Sequence, residues 1–387
     1  MNRSSYLPRQ LLVAIGGLTI LLLVLALPDL APPSDSAEPV TAFRGRIVEI
    51  LRPGEPLDPD DPNAGFAPDV MVEISEGPRA GERVGAYLQG PSGQQDLPDY
   101  GVGEDIVVSF TGQPETGDFV AVTDRWRLPT LGLLLVVFGV AVGAVGGFRG
   151  LRALLALALT GAVVLKIVIP LLLQGVPPVP LAVVVASAVT LVTILLTEGL
   201  SRASVAAICG TFASLALTAV LAALATGLAA FTNAAGSDLV YLQTTGGAQL
   251  DLRGLLLAAF IFGSLGVLDD VTVTQAAAVQ ELGRGGLAGG RLFLSAMNVG
   301  RSHIAATVNT LFLAYVGASL PLLVLYAVAR QPAAMILNGE IVAVEIVRAV
   351  VGSLGIVTAV PLTTAIATWL AQPRRRRVAH ATEPGVP

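Results

Sequence analysis

The chain has 387 residues and a formal net charge of −5; it is 53% hydrophobic, only 13% charged, and its mean hydropathy is +0.74. Soluble domains carry about a quarter charged residues, so this composition excludes an ordinary water-soluble protein. The single cysteine, Cys209, excludes an intrachain disulfide. Acidic residues gather between Asp29 and Asp124 while arginines gather in short loops and at the C-terminus, so the charge balance carries no nucleic-acid signal.

The first apolar run, about 11–27, follows Arg3 and Arg9 and stops at Pro28-Asp29. It reads as a signal anchor or a cleaved signal peptide. Its apolar core is short and no clean small-x-small site follows, and the uncleaved anchor is favoured. Residues 1–28 are therefore expected to form a first transmembrane helix, which places residues 29–128 outside the cytoplasm.

Within 29–128, five stretches alternate or run apolar between turn residues: Phe43–Ile50, Asp69–Ile74, Arg83–Leu88, Asp105–Phe110 and Asp118–Val122. They predict a small extracytoplasmic all-β domain, a barrel of the OB type. The acidic loop at 58–65 lacks the central Gly and the terminal bidentate Glu at EF-hand spacing. It reads as a solvated loop stiffened by proline, and no metal is expected.

Apolar runs near the about 20 residues that cross a bilayer then recur. Seven spans are expected at about 130–147, 152–173, 179–197, 203–231, 254–268, 304–328 and 345–371, as a bundle over 129–372 followed by a basic tail at 373–387. Arg149, Arg152, Arg202, Arg284, Arg291, Arg301 and the arginines at 374–377 fall on one side, whereas the opposite short connections hold only Arg253 and Arg330. The positive-inside rule then gives an α-helical polytopic membrane protein of about eight transmembrane helices with both termini in the cytoplasm. No dinucleotide fingerprint, phosphate-binding loop or HExxH motif occurs, so no ATP-driven pump, catalytic residue or cofactor is expected.

The densest polar signal lies at the end of the sixth span. Asp269 and Asp270 are followed by Thr272, Thr274 and Gln275, and Asp270, Thr274, Ala277 and Glu281 lie at helical spacing. Charge where a span meets water is a functional signal. In the seventh span Asn298, Arg301, Ser302, Ala305, Asn309, Phe312 and Tyr315 share one face. Asn309 falls about two turns beyond Arg301, so this face is expected to look into the bundle rather than at lipid. Arg301 is the expected partner of Asp269 or Asp270, and His303, one of two histidines, can relay protons. A plainer reading stands beside this one. Interhelical hydrogen bonds at about 0.6 kcal/mol each hold many bundles together, and an Arg–Asp pair can simply fix topology. Lys166 is read as snorkelling outward, Glu345 with Arg348 as a local ion pair, and Glu198 as a neighbour of Arg202.

Five segments resemble one family: Gly266–Gln275, Val299–Ile304, Thr307–Leu311, Leu313–Leu322 and Val360–Thr364. Together and in this order they are similar to the YibE/F family of bacterial multi-pass membrane proteins, in its actinobacterial form, over about residues 40–371. The resemblance implies an outer β-rich domain followed by a membrane bundle in the bacterial plasma membrane. It transfers no catalytic residue. Ser302 and Glu198 depart from the family pattern, which carries Asp and His there, and a proton relay that needs either group is in doubt in this chain.

Two functions follow. The first is a secondary transporter or permeation protein for a small solute or ion, with a pathway lined by Asp269, Asp270, Thr272, Thr274, Gln275, Arg301, His303 and Asn309. The second is a membrane scaffold or sensor whose outer β domain binds a ligand or envelope partner. An intramembrane enzyme trails both, since neighbouring Asp269 and Asp270 point in different directions on a helix. The expected partners are the bilayer, a small solute or ion, and a second copy or another membrane subunit.

Overall fold

Between residues 41 and 125, β-branched and aromatic residues recur with a period of two and close into a barrel. The computed structural model describes residues 6–28, 41–51, 68–88, 100–111, 119–232 and 251–372. The acidic loop at 58–65 and the arginines at 374–377 lie outside the described residues. The chain divides into two units, Ala37–Ala141 and the remainder, Met1–Ser36 with Val142–Pro387.

The first unit holds strands β1 (Thr41–Ile50), β2 (Val70–Ile74), β3 (Arg83–Leu88), β4 (Asp105–Thr111) and β5 (Phe119–Arg125). They close in the order β1-β2-β3-β5-β4, all antiparallel except the parallel β3–β5 pair. This is a five-stranded barrel with non-sequential strand order, the class to which the OB type belongs. Alternate residues Val70, Val72 and Ile74 point inward with Ile47, Ile106 and Val108, each almost wholly buried. Outside, Asp105 clips two guanidinium groups, Arg44 Nη2 at 2.8 Å and Arg46 Nε at 3.0 Å. The Arg44 guanidinium also lies 5.3 Å from the centroid of the Trp126 ring. Hydrogen bonds from Arg44 and then Arg46 hold the Asp105 carboxyl below the usual carboxylate range.

Helix α1 (Tyr6–Leu25) precedes the barrel, and α2 (Leu128–Val163) follows it, continuing through a π-helical turn at Val164–Val168 into α3 (Ile169–Leu173). Pro170 has no N–H to offer, and the Ile169 N–H bonds the Val164 carbonyl five residues back, which widens that turn. Gly147, at φ 55° and ψ −140°, bends α2 so sharply that a Cβ at Gly150 would collide with the Val142 carbonyl. Only glycine adopts that backbone without strain. The spans expected at 130–147 and 152–173 correspond to the two helical arms that meet at Gly147.

Then come α4 (Pro178–Glu198), α5 (Arg202–Leu228), α6 (Leu252–Arg284), α7 (Gly289–Val328), the short α8 (Ala333–Asn338) and α9 (Glu340–Ala371). Among the described residues six helical stretches are long and apolar enough to cross a membrane, and Val13–Leu25 is a shorter apolar helix. Ser201 caps α5 by accepting from the Ser204 N–H at 3.0 Å, and Asp251 caps α6 by accepting from Gly254 at 2.9 Å. The Glu340 carboxylate ties the start of α9 to the end of α5 by accepting from the Thr232 N–H and hydroxyl at 2.7 and 2.9 Å.

Two expected boundaries move. The spans expected to end at 268 and to begin at 304 extend as helices to Arg284 and back to Gly289, with only a short Gly-rich turn between them. Periodic apolar burial drives this: Val271, Ala276, Val279, Leu292 and Ala296 all pack inside. Helices α4, α5, α6 and α9 form the packed centre of the bundle. By contrast α7 buries only 6% of its most apolar stretch.

Candidate functional site

Asp269 lies near the middle of α6, not at its end. The buried Thr190 hydroxyl of α4 donates to both of its carboxylate oxygens, at 3.1 and 3.3 Å. Thr272, one turn along α6, donates to the Asp269 carbonyl at 3.1 Å and lies 2.7 Å from the Thr211 hydroxyl of α5. Three hydroxyls and a carboxylate thus gather where three helices pack, and among the described residues no cation forms an ion pair there.

The sequence places this cluster at depth. Thr190 is a little over two turns from the end of α4, and Thr211 about as far from the start of α5. At 1.5 Å rise per residue both lie about 12–14 Å from that end of the bundle, close to half of the about 30 Å hydrocarbon thickness. A carboxylate in such a setting is strongly penalised unless a proton or a metal cation neutralises it.

A second polar layer lies beside the first. Gln275 donates to the Ala296 carbonyl of α7 at 3.0 Å and to the Thr364 hydroxyl of α9 at 2.7 Å. Gly300 makes this approach feasible, since a methyl there would sit 2.9 Å from the Gln275 amide oxygen. On α5, Thr211, Ser214 and Thr218 line one buried face. The hydroxyls of Ser214 on α5 and Thr363 on α9 are buried with no hydrogen-bond partner among the described residues.

Of the residues expected to share a pathway, Asp269, Thr272 and Gln275 are brought into the interior. Asp270 and Thr274 are exposed, and the Thr274 hydroxyl bonds the Asp270 carbonyl at 2.7 Å. The stripe of Asp270, Thr274, Ala277 and Glu281 is an exposed face of α6. Arg301 does not meet either aspartate; it is exposed and donates to Asn298 at 3.2 Å. Asn309 is exposed and lines an apolar groove between α7 and α9, so the expectation that it faces the bundle interior is corrected. The cause is the face by which α7 docks. It packs mainly on α9 through Gly300, which turns Arg301, about 100° further round, away from α6. His303 is half-buried with its Nε2 unpartnered, apart from the Asp269 cluster. The local pair Glu345–Arg348 forms as expected, at 3.2 Å.

The residues missed by reading the sequence are Thr190 and Thr211, together with Ser214, Thr218 and Thr364. One signal was present: Thr211, Ser214 and Thr218 recur at helical spacing in a segment otherwise built of small and apolar residues.

A cavity of about 840 Å³ opens at the end of the bundle where α4 ends and α5 begins. Its wall on α6 runs through Arg284, Gln280, Ala277 and Val273. These positions continue at helical spacing to Asp269, so the cavity stops one helical turn short of the carboxylate. Among the described residues no three His, Cys, Asp or Glu side chains gather as a metal site.

Long apolar helices around a polar centre, with a separate barrel, define the chain as a multi-helix membrane protein. A family model described as YibE/F-like protein matches residues 134–373, and the chain belongs to that family. No curated protein and no solved structure matches it.

Proposed function

We propose that this protein is a secondary transporter or permeation protein of the bacterial plasma membrane, and that Asp269 is the group that takes up and releases its coupling cation. One observation carries this reading: a mid-span carboxylate with no cation paired to it among the described residues, held by a hydroxyl and lying one helical turn beyond a cavity at one end of the bundle. The Thr190 hydroxyl orients the carboxylate oxygens without neutralising them, so a proton or a small metal cation supplies the missing charge. The Thr211–Thr272 pair adds a means of reorganisation, because either hydroxyl can donate to the other.

The same reading assigns eight crossings, counting α1, both arms of the bent α2–α3 stretch, and α4, α5, α6, α7 and α9. It puts both termini in the cytoplasm and the barrel outside, following the arginines at 149, 152, 202, 284 and 291. The chain then carries a solute or ion rather than transforming one. Of the pathway proposed from the sequence, Asp269 and Thr272 are kept, and Thr190 and Thr211 join them. The test is uptake into proteoliposomes of the full chain under an imposed membrane potential, with protons or sodium as the only permeant cation. Wild type is expected to exceed protein-free vesicles for one of the two, and Asp269→Asn to remove the difference. Equal uptake by wild type and Asp269→Asn would remove the proposal.

A scaffold or sensor role draws on a different observation, the barrel's own closed core. Deleting residues 40–125 separates the two readings: uptake retained by the remaining bundle assigns transport to the helices, and binding lost with the barrel assigns recognition to it.

A further inference from the structure

Arg152, on the part of α2 beyond Gly147, is only 5% exposed, and its Nε has no hydrogen-bond partner. Among the described residues it enters no ion pair, and its guanidinium lies 5.7 Å from the centroid of the Phe148 ring. Arginine stays protonated in any protein environment, so burial cannot be relieved by losing the charge. A buried charge left unpaired carries a large desolvation penalty.

Arg152 also lines the 840 Å³ cavity, and among the described residues no carboxylate there forms an ion pair with it. Arg284 is taken by Glu281 at 3.2 Å. Arg149 and Glu198 remain in the wall, and Glu198, an exposed residue, makes no ion pair with Arg152. With Arg284 and Glu281 cancelling, the cavity holds one positive charge in excess, beside apolar walls that include Leu196 and Ile20. A guanidinium presents parallel N–H donors that match two oxygens of a phosphate or carboxylate.

We propose that Arg152 anchors an oxyanion-binding site in this cavity. Its ligand is a singly charged phosphate or carboxylate group, carried by a lipid headgroup or by a free solute. The site goes beyond the transport reading and does not depend on it, because binding is measured without flux and Asp269 is left intact.

The test uses the full chain purified in a non-ionic detergent, with melting followed at matched ionic strength. One arm compares inorganic phosphate with chloride. The other compares nanodiscs of phosphatidylglycerol with nanodiscs of phosphatidylcholine. The expected result is that phosphate, phosphatidylglycerol or both raise the Tm of wild type by several degrees, the linkage effect of a ligand that binds the folded state. A shift with phosphate identifies a free oxyanion as sufficient, and a shift with phosphatidylglycerol alone identifies the headgroup. Arg152→Gln is expected to abolish the shift, while Arg291→Gln, at an exposed site away from the cavity, keeps it. If Arg152→Gln does not fold, Arg152→Lys carries the test, since it retains the charge but not the fork, and its shift is expected to fall to half or less. No shift in wild type from either source, or an undiminished shift in the Arg152 variant, would overturn the proposal.

Discussion

Adjacent carboxylates on a helix point about 100° apart, and this rotation gives Asp269 and Asp270 separate environments. Asp269 meets Thr190 and the Thr211–Thr272 pair inside the bundle, while Asp270 is exposed. Thr190→Val is expected to leave the carboxylate short of its donor to both oxygens and to lower the melting temperature, at a cost of about 1–3 kcal/mol for an unmade buried hydrogen bond. Asp270→Asn and Arg301→Gln should change stability by less than about 0.5 kcal/mol, as exposed substitutions do. Thermal melts of the three variants in one detergent check the contrast. Asp269, Thr272 and Gln275 were legible in the sequence because two carboxylates and three polar residues interrupt an apolar run. Thr190 and Thr211 were not, because their partnership with Asp269 depends on which helices pack together, and a single chain's periodicity does not specify that.

At the scale of elements, helices α5 and α9 interlock through small residues opposite hydroxyls: Gly210 against Thr363, and Gly355 against Thr218. A Cβ at Gly210 would come within 3.0 Å of Thr363 Cβ and 3.3 Å of its Cα, so neither side can yield by a rotamer change alone. Gly210→Ala is expected to destabilise the bundle by about 1–3 kcal/mol. Thr363→Ala, which removes a hydroxyl with no partner among the described residues, should cost less than the glycine change. The double variant should melt above the sum of the two single effects, and a melt showing strict additivity would contradict the interlock. Helix existence was readable from apolar runs, and all five strands were found close to their observed limits. Helix ends were less readable. Reading for uninterrupted hydropathy stops at Asp269, whereas the backbone continues as helix for as long as one face keeps burying Val271, Ala276 and Val279.

Over the whole molecule, two units with separate cores respond to different variables. Part of the barrel's acid sensitivity lies in Asp105, whose carboxyl is held below its usual range by Arg44 and Arg46. A depressed folded-state pKa contributes stability that is present above the unfolded aspartate value and is lost as pH falls through the folded one. The barrel is therefore expected to weaken below about pH 4. Asp105→Asn should lower its stability at neutral pH by about 1 kcal/mol or less, because the ion pairs are partly exposed. Trp126 fluorescence in a Trp369→Phe background reports this unit, since the Arg44 guanidinium lies against the Trp126 ring. A variant as acid-sensitive as the parent would contradict the assignment. In the bundle the decisive comparison is cation uptake by proteoliposomes containing wild type, Asp269→Asn or Asp270→Asn at equal protein density. Asp269→Asn is expected to lose uptake by about tenfold or more, equivalent to at least about 1.4 kcal/mol, while Asp270→Asn stays within about twofold of wild type. Uptake lost in Asp270→Asn and retained in Asp269→Asn would contradict it.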